Sequence, residues 1–86
     1  MNDYRVFVNF EVKETLRRLR GPDRMLVGRF IESLGPDPFQ EGDYKEKDPS
    51  GRYIEIKILG RHALFFWADH PVSEVKVVGL GKADKP

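Results

Sequence analysis

From Tyr53 to Ala68 the chain alternates with a period of two and breaks once, at Gly60. Ile54, Ile56 and Ile58 share one side, and Tyr53, Glu55 and Lys57 share the other, which is strand spacing. Two apolar strands meeting at a glycine predict a β-hairpin, and an isolated hairpin is not stable alone. The rest of the chain must therefore supply something to cover it.

Register sets which side is covered, because a slip of one residue reverses every side chain. A three-residue loop, Leu59-Gly60-Arg61, pairs Ile58 with His62, Ile56 with Leu64 and Ile54 with Phe66. That arrangement makes one continuous apolar face, and it is the expected one. It leaves Phe65 and Trp67 beside Lys57 on the opposite, uncovered face. A two-residue loop instead sets the isoleucines with Phe65 and Trp67.

The covering elements come first in the chain. Tyr4 to Phe10 is rich in β-branched and aromatic residues and predicts a strand. Asn9 is placed to cap a following helix, in which Val12, Leu16 and Leu19 form one apolar stripe. Arg17, Arg18 and Arg20 fall on its solvent side or near its C-terminus, where cations suit the helix dipole. Gly21-Pro22 ends this helix and opens a second, which runs through Val27, Phe30, Ile31 and Leu34 and stops at Gly35-Pro36. So short a joint predicts a helical hairpin.

Residues 35–51 are dense in Pro, Gly and Asp and read as a loop carrying a short edge strand at Tyr44 to Lys47. After the β-hairpin, Asp69-His70-Pro71 is a turn, and Glu74 to Leu80 is a last strand. Residues 81–86 read as a frayed polar tail. The predicted order is β-α-α-β-β-β-β in a single domain, 1–86. This is an α+β class: an N-terminal strand, a helical hairpin, then a mainly antiparallel sheet of three to four strands.

Composition narrows the chemistry. The chain lacks cysteine, which excludes disulfides and thiolate metal or redox sites. His62 and His70 have no carboxylate cluster at ligand spacing, so neither metal nor cofactor is expected. No apolar run reaches membrane-span length, and MNDYRVFV lacks a cationic signal head, so the expectation is a soluble, cytoplasmic protein without a membrane partner. Net charge is +1, but residues 35–51 hold two Lys/Arg against five Asp/Glu, while the flanking segments are each net positive. That excludes a uniform basic coat and allows a local basic cleft.

The hairpin end is where such a cleft is expected. Lys57 and Arg61 line it, Lys82 closes it, and Lys45 and Lys47 reach in from the edge strand. Phe65 and Trp67 beside Lys57 offer the rings and charge that a single-stranded nucleic acid uses, and Arg52 joins this substrate-binding set. His62 is the candidate for proton transfer.

The segments YRVFVNFEVKETLRRL, FIESLGPDP, GRYIEIKILGRHALFFWADH and EVKVVGLGKAD together resemble the RelE/ParE toxin superfamily of bacterial toxin–antitoxin systems, over nearly the whole chain. The resemblance implies a plasmid-stabilization type of toxin. RelE-like members are RNA-binding, metal-independent endoribonucleases that cleave mRNA on the ribosome; ParE-like members poison DNA gyrase; non-catalytic relatives only bind antitoxin or RNA. By this resemblance Lys57 stands where a strand lysine of the nuclease site lies, with Arg61, His62 and Lys82 as the other catalytic candidates. The chain departs from the nuclease pattern at Glu55, at Ala63, at Ala83 after Lys82, and in lacking a terminal tyrosine. The implied partner is a cognate antitoxin, with ribosome and mRNA or DNA gyrase as target. Val12, Leu16, Leu19, Val27, Ile31 and Leu34 are expected to form an apolar groove for an amphipathic antitoxin segment.

Overall fold

A computed structural model describes residues 3–83. The strands β1 (Arg5–Val8), β2 (Tyr44–Lys47), β3 (Tyr53–Leu59), β4 (His62–Asp69) and β5 (Glu74–Lys82) form one sheet in the order β1-β5-β4-β3-β2. Two helices, α1 (Phe10–Arg18) and α2 (Gly21–Ser33), separate β1 from β2. The architecture is the expected α+β one, with a fifth strand in the sheet. β1 leaves for the helices and joins the sheet edge parallel to β5, while the other neighbours are antiparallel.

Local signals place the helices. Asn9 caps α1: its Oδ1 accepts from the Val12 N–H at 2.8 Å, and its Nδ2 donates to the Val78 carbonyl at 3.0 Å. The cap thus fixes the helix start to β5 as well as to the chain. Pro22 lies in the first turn of α2, where its missing N–H costs no helical bond. Both helices cover one face of the sheet. Val12, Val27, Ile31 and Leu34 pack there against Leu59, Leu64, Phe66, Val75 and Val77.

The hairpin register differs from the expected one by a residue. Leu59 pairs with His62, Ile58 with Ala63, Lys57 with Leu64 and Ile56 with Phe65. The loop is therefore Gly60-Arg61. Gly60 has φ +63 and Arg61 is not in the left-handed region, the pattern of a two-residue turn with glycine first. The slip buries Leu59 under the helices and turns Ile54, Ile56 and Ile58 to the open face with Phe65 and Trp67. It also sends Glu55 and Lys57 to the helix face. That is tolerable because β3 has only β2 beyond it, at the margin of the helical cover. There Lys57 reaches over the Phe30 ring, with Nζ 5.7 Å from the centroid. Glu55 accepts from the Gly42 N–H at 2.7 Å.

The C-terminal segment also differs from expectation. β5 continues to Lys82, and the Ala83 N–H donates to the Arg61 carbonyl at 2.9 Å, so 81–83 are tied to the hairpin. The remainder of the expected frayed tail, 84–86, lies outside the described residues.

Candidate functional site

The turn between β3 and β4, the end of β5 and the α1–α2 joint meet at one end of the molecule. They enclose a cleft of about 730 Å³. Arg61 and His62 enter it from the hairpin, and Lys82 enters from β5 as the cross-strand partner of His62. Arg18 and Arg20 come from the helical joint, and Tyr44 and Ile58 from the outer strands. None of Arg18, Arg20, Arg61 and Lys82 forms an ion pair among the described residues. The carboxylate in the lining, Asp23 of α2, faces His62 with Oδ2 3.1 Å from Nε2. Four cations held around one cleft repel one another, and an anion between them relieves that repulsion.

The structure thus brings Arg61, His62 and Lys82 together but removes Lys57 from them. Lys45 and Lys47 stay outside the cleft lining as well. Lys45 is bound to Glu41 at 2.8 Å and to Glu55 at 3.6 Å. Its hydrogen bond to Glu41, then the charge of Glu55, raises the Lys45 ammonium above its ordinary value, and Lys45 holds the Glu41 carboxyl below its own. Lys47 lies over the Tyr53 ring at 5.5 Å.

Sequence reasoning missed Arg18, Arg20 and Asp23. The run Arg17-Arg18-Leu19-Arg20 was a visible signal, read only as the basic end of a helix. Arg17 is taken up by Glu14 at 3.3 Å, which leaves the next two arginines to the cleft.

A second constellation occupies the open sheet face. The Arg52 guanidinium stacks on Trp67, 3.9 Å from the ring centroid, and Lys76 approaches the same ring at 5.2 Å. Phe65 lies next to it over Gly79, where an added Cβ would meet the ring at 3.2 Å. Arg52, Phe65 and Trp67, with Ile54 and Val78, line a cleft of about 440 Å³. Arg52, Phe65 and Trp67 are therefore together as expected, with Lys76 in the place expected for Lys57.

The apolar groove expected along the helices is filled. Val12, Val27, Ile31 and Leu34 are buried against the chain's own sheet, and Leu16 and Leu19 pack partly buried at its margin. The sheet has five strands, which is enough to cover both stripes. The apolar side chains exposed on the helices are Phe10, Met25 and Leu26. His70 lies just beyond the opposite end of β4 from His62. Its Nδ1 is 2.9 Å from the Tyr4 hydroxyl, and Phe39 stacks on its ring at 4.9 Å.

Among the described residues no group of three or more His, Asp or Glu is placed to hold a metal ion, and no helix is long and apolar enough to cross a membrane. No protein-family model matches the sequence, and no curated protein does. Solved structures do match the fold. An archaeal RelE solved in complex with RelB, from Pyrococcus horikoshii, superposes with a TM-score of 0.82 at 16% identity, over 98% of this chain and 99% of that one. A RelBE toxin–antitoxin complex from Mycobacterium tuberculosis gives 0.75 at 16% identity, over 99% and 97%. The isolated Escherichia coli RelE toxin gives 0.67 at 16% identity, over 96% and 87%. The chain has the fold of the RelE toxins.

Proposed function

We propose that this protein is the toxin of a toxin–antitoxin module, silenced by a cognate antitoxin and acting in the cytoplasm on RNA at the ribosome. The observation that carries the reading is the end-to-end likeness to RelE chains solved with their antitoxins, over 98% and 99% of this chain. The basic cleft supports an RNA target, because four uncompensated cations suit a phosphodiester and Tyr44 beside them offers a ring for a base. Phe10, Met25 and Leu26 supply exposed apolar surface for an antitoxin segment.

The test is inducible expression in a bacterial host. Growth should stop with a fall in protein synthesis and cleavage of translated mRNA, and co-expression of a short reading frame adjacent to its gene should restore growth. Unimpaired growth at high expression would refute the reading.

One observation favours a second reading. The centre of the open sheet face carries Ile54, Ile56 and Ile58 where a nuclease would present cations. A face of that kind suits a protein target such as gyrase, or a relative that only binds its antitoxin. Growth arrest with intact mRNA and induced DNA damage would select the gyrase target; antitoxin binding without arrest would select the silent relative.

A further inference from the structure

The two edges of the sheet are protected differently. β2 carries Lys45, Glu46 and Lys47 in its four residues, and so dense a set of charges discourages pairing with another chain. β1 reads Arg-Val-Phe-Val, and its one charge, Arg5, is bound to Glu74 at 3.0 Å. The N–H groups of Arg5 and Asn9 point inward and donate to the Ser73 and Val77 carbonyls. Backbone groups alternate along a strand in the ladder direction, so Tyr4, Val6 and Val8 present theirs outward. The Tyr4 N–H donates to the Gly35 carbonyl at 3.0 Å, but the N–H and C=O groups of Val6 and Val8 have no partner in the sheet, turns or loops among the described residues. Between them Phe7 is 44% exposed on the open face. The edge is thus short, apolar and unpaired.

We propose that β1 pairs antiparallel with β1 of a second copy of this chain, about a two-fold axis at Phe7. Val6 then faces Val8 of the second copy, and Val8 faces its Val6. Each such pair exchanges two N–H···O bonds, so every open group of both edges is satisfied. The two Phe7 residues meet between them as a pair without backbone bonds, with Cα atoms about 4.5 Å apart and the rings on one face. Arg5 lies opposite Asn9, so no like charges meet. Other registers serve the edge less well. Moving the axis to Val6 sets Val8 opposite Tyr4, whose N–H is already given to Gly35; moving it to Val8 sets Val6 opposite Phe10, already in α1. A four-residue strand spans about 14 Å, so the contact is small and the dimer is of the weak, reversible class. No residue of β1 lines the basic cleft, so both clefts stay accessible and the dimer does not depend on the RNA reading.

The test uses the full chain, purified without any partner protein. Sedimentation equilibrium from micromolar to millimolar concentration should show monomer in exchange with dimer. Hydrogen exchange at the Val6 and Val8 amides should slow as concentration rises, while exchange at Tyr44–Lys47 on the other edge should not change. Phe7→Glu sets two carboxylates face to face and should weaken association by more than about tenfold. Its melting temperature should stay near that of the wild type, because Phe7 lies on the open face. The chain lacks cysteine, so Phe7→Cys introduces a single thiol. Cα atoms about 4.5 Å apart are within disulfide reach, and this variant should oxidise to a covalent dimer. Arg5→Cys, on the same face of the strand but away from the axis, should not. A chain that sediments as a monomer at every concentration overturns the proposal. So does a dimer whose Val6 and Val8 amides exchange as fast as in the monomer, or one in which the two thiol variants cross-link equally.

Discussion

Phe65 and Phe66 are the same residue at consecutive positions, so the pleat of β4 alone decides which is core. Phe66 is 1% exposed, and its ring lies 5.6 Å from that of Phe30 on α2. Truncating a buried phenylalanine costs about 3–5 kcal/mol, within which the lost aromatic pair accounts for about 1 kcal/mol. A domain of 86 residues has in total about 4–13 kcal/mol of stability. Phe66→Ala therefore consumes a large part of it, and the variant is expected to be partly unfolded at 37 °C. Phe65 is half-buried on the open face, over Gly79 rather than under a helix. Its removal exposes no closed cavity and should cost about 1–2 kcal/mol, or roughly 4–16 °C in melting temperature. Urea titration followed by far-ultraviolet circular dichroism measures both, and equal slopes confirm that the midpoints report stability. Midpoints that are equal, or lowest for Phe65→Ala, would mean that the helices cover the other face of β4.

Asn9→Ala should lower stability by about 1–2 kcal/mol, since it removes both the α1 cap and the bond to Val78; the urea midpoint checks this. Gly42→Ala should displace the start of β2, because an added Cβ would lie 2.5 Å from the Ile56 carbonyl oxygen; hydrogen exchange should then accelerate at Tyr44–Lys47. Asp48 accepts from the Ser50 hydroxyl and from the Ser50 and Arg52 N–H groups, and these bonds hold its carboxyl below the ordinary value. Because the folded value is the depressed one, its contribution is present at neutral pH and is lost as pH falls through the lowered value. The difference in melting temperature between the wild type and Asp48→Ala should vanish over that acid range.

The element order was legible because its signals are local. Asn9 can bond only the turn that follows it, and Gly21-Pro22 both ends and starts a helix whatever lies above it. Register was less legible, because it depends on what the whole hairpin buries. Scoring Ile54, Ile56 and Ile58 as the core face gives a clean apolar stripe, but it leaves Leu59 in the loop. The molecule uses Leu59 as core and lets Lys57 and Glu55 occupy the margin, a solution that depends on where the helices end. Arg61, His62 and Lys82 were visible as a group since a turn and a strand end bring them together. Arg18, Arg20 and Asp23 join them only because the helical hairpin folds back over that end of the sheet, and no local pattern encodes that placement.

The same slip decides where anion chemistry is possible. With Lys57 held over Phe30, the middle of the open face is apolar, and the remaining cations near it stand at the two ends of the strands. Arg52 and Lys76 gather at Trp67, and Arg61 and Lys82 gather at the hairpin turn. Trp67 and Arg61 are six residues apart along β4, about 20 Å at strand rise. That separation exceeds two Debye lengths of about 8 Å at physiological salt, so the two groups act as separate fields. The Trp67 group is already compensated: Asp48 faces Arg52 at 3.8 Å, and Glu74 faces Lys76 at 3.3 Å. At the turn the carboxylate in the lining is engaged by His62, and the surrounding cations have no other partner among the described residues. A phosphate entering from solvent therefore gains most at the hairpin end. The Trp67 end is suited instead to ring stacking and apolar contact.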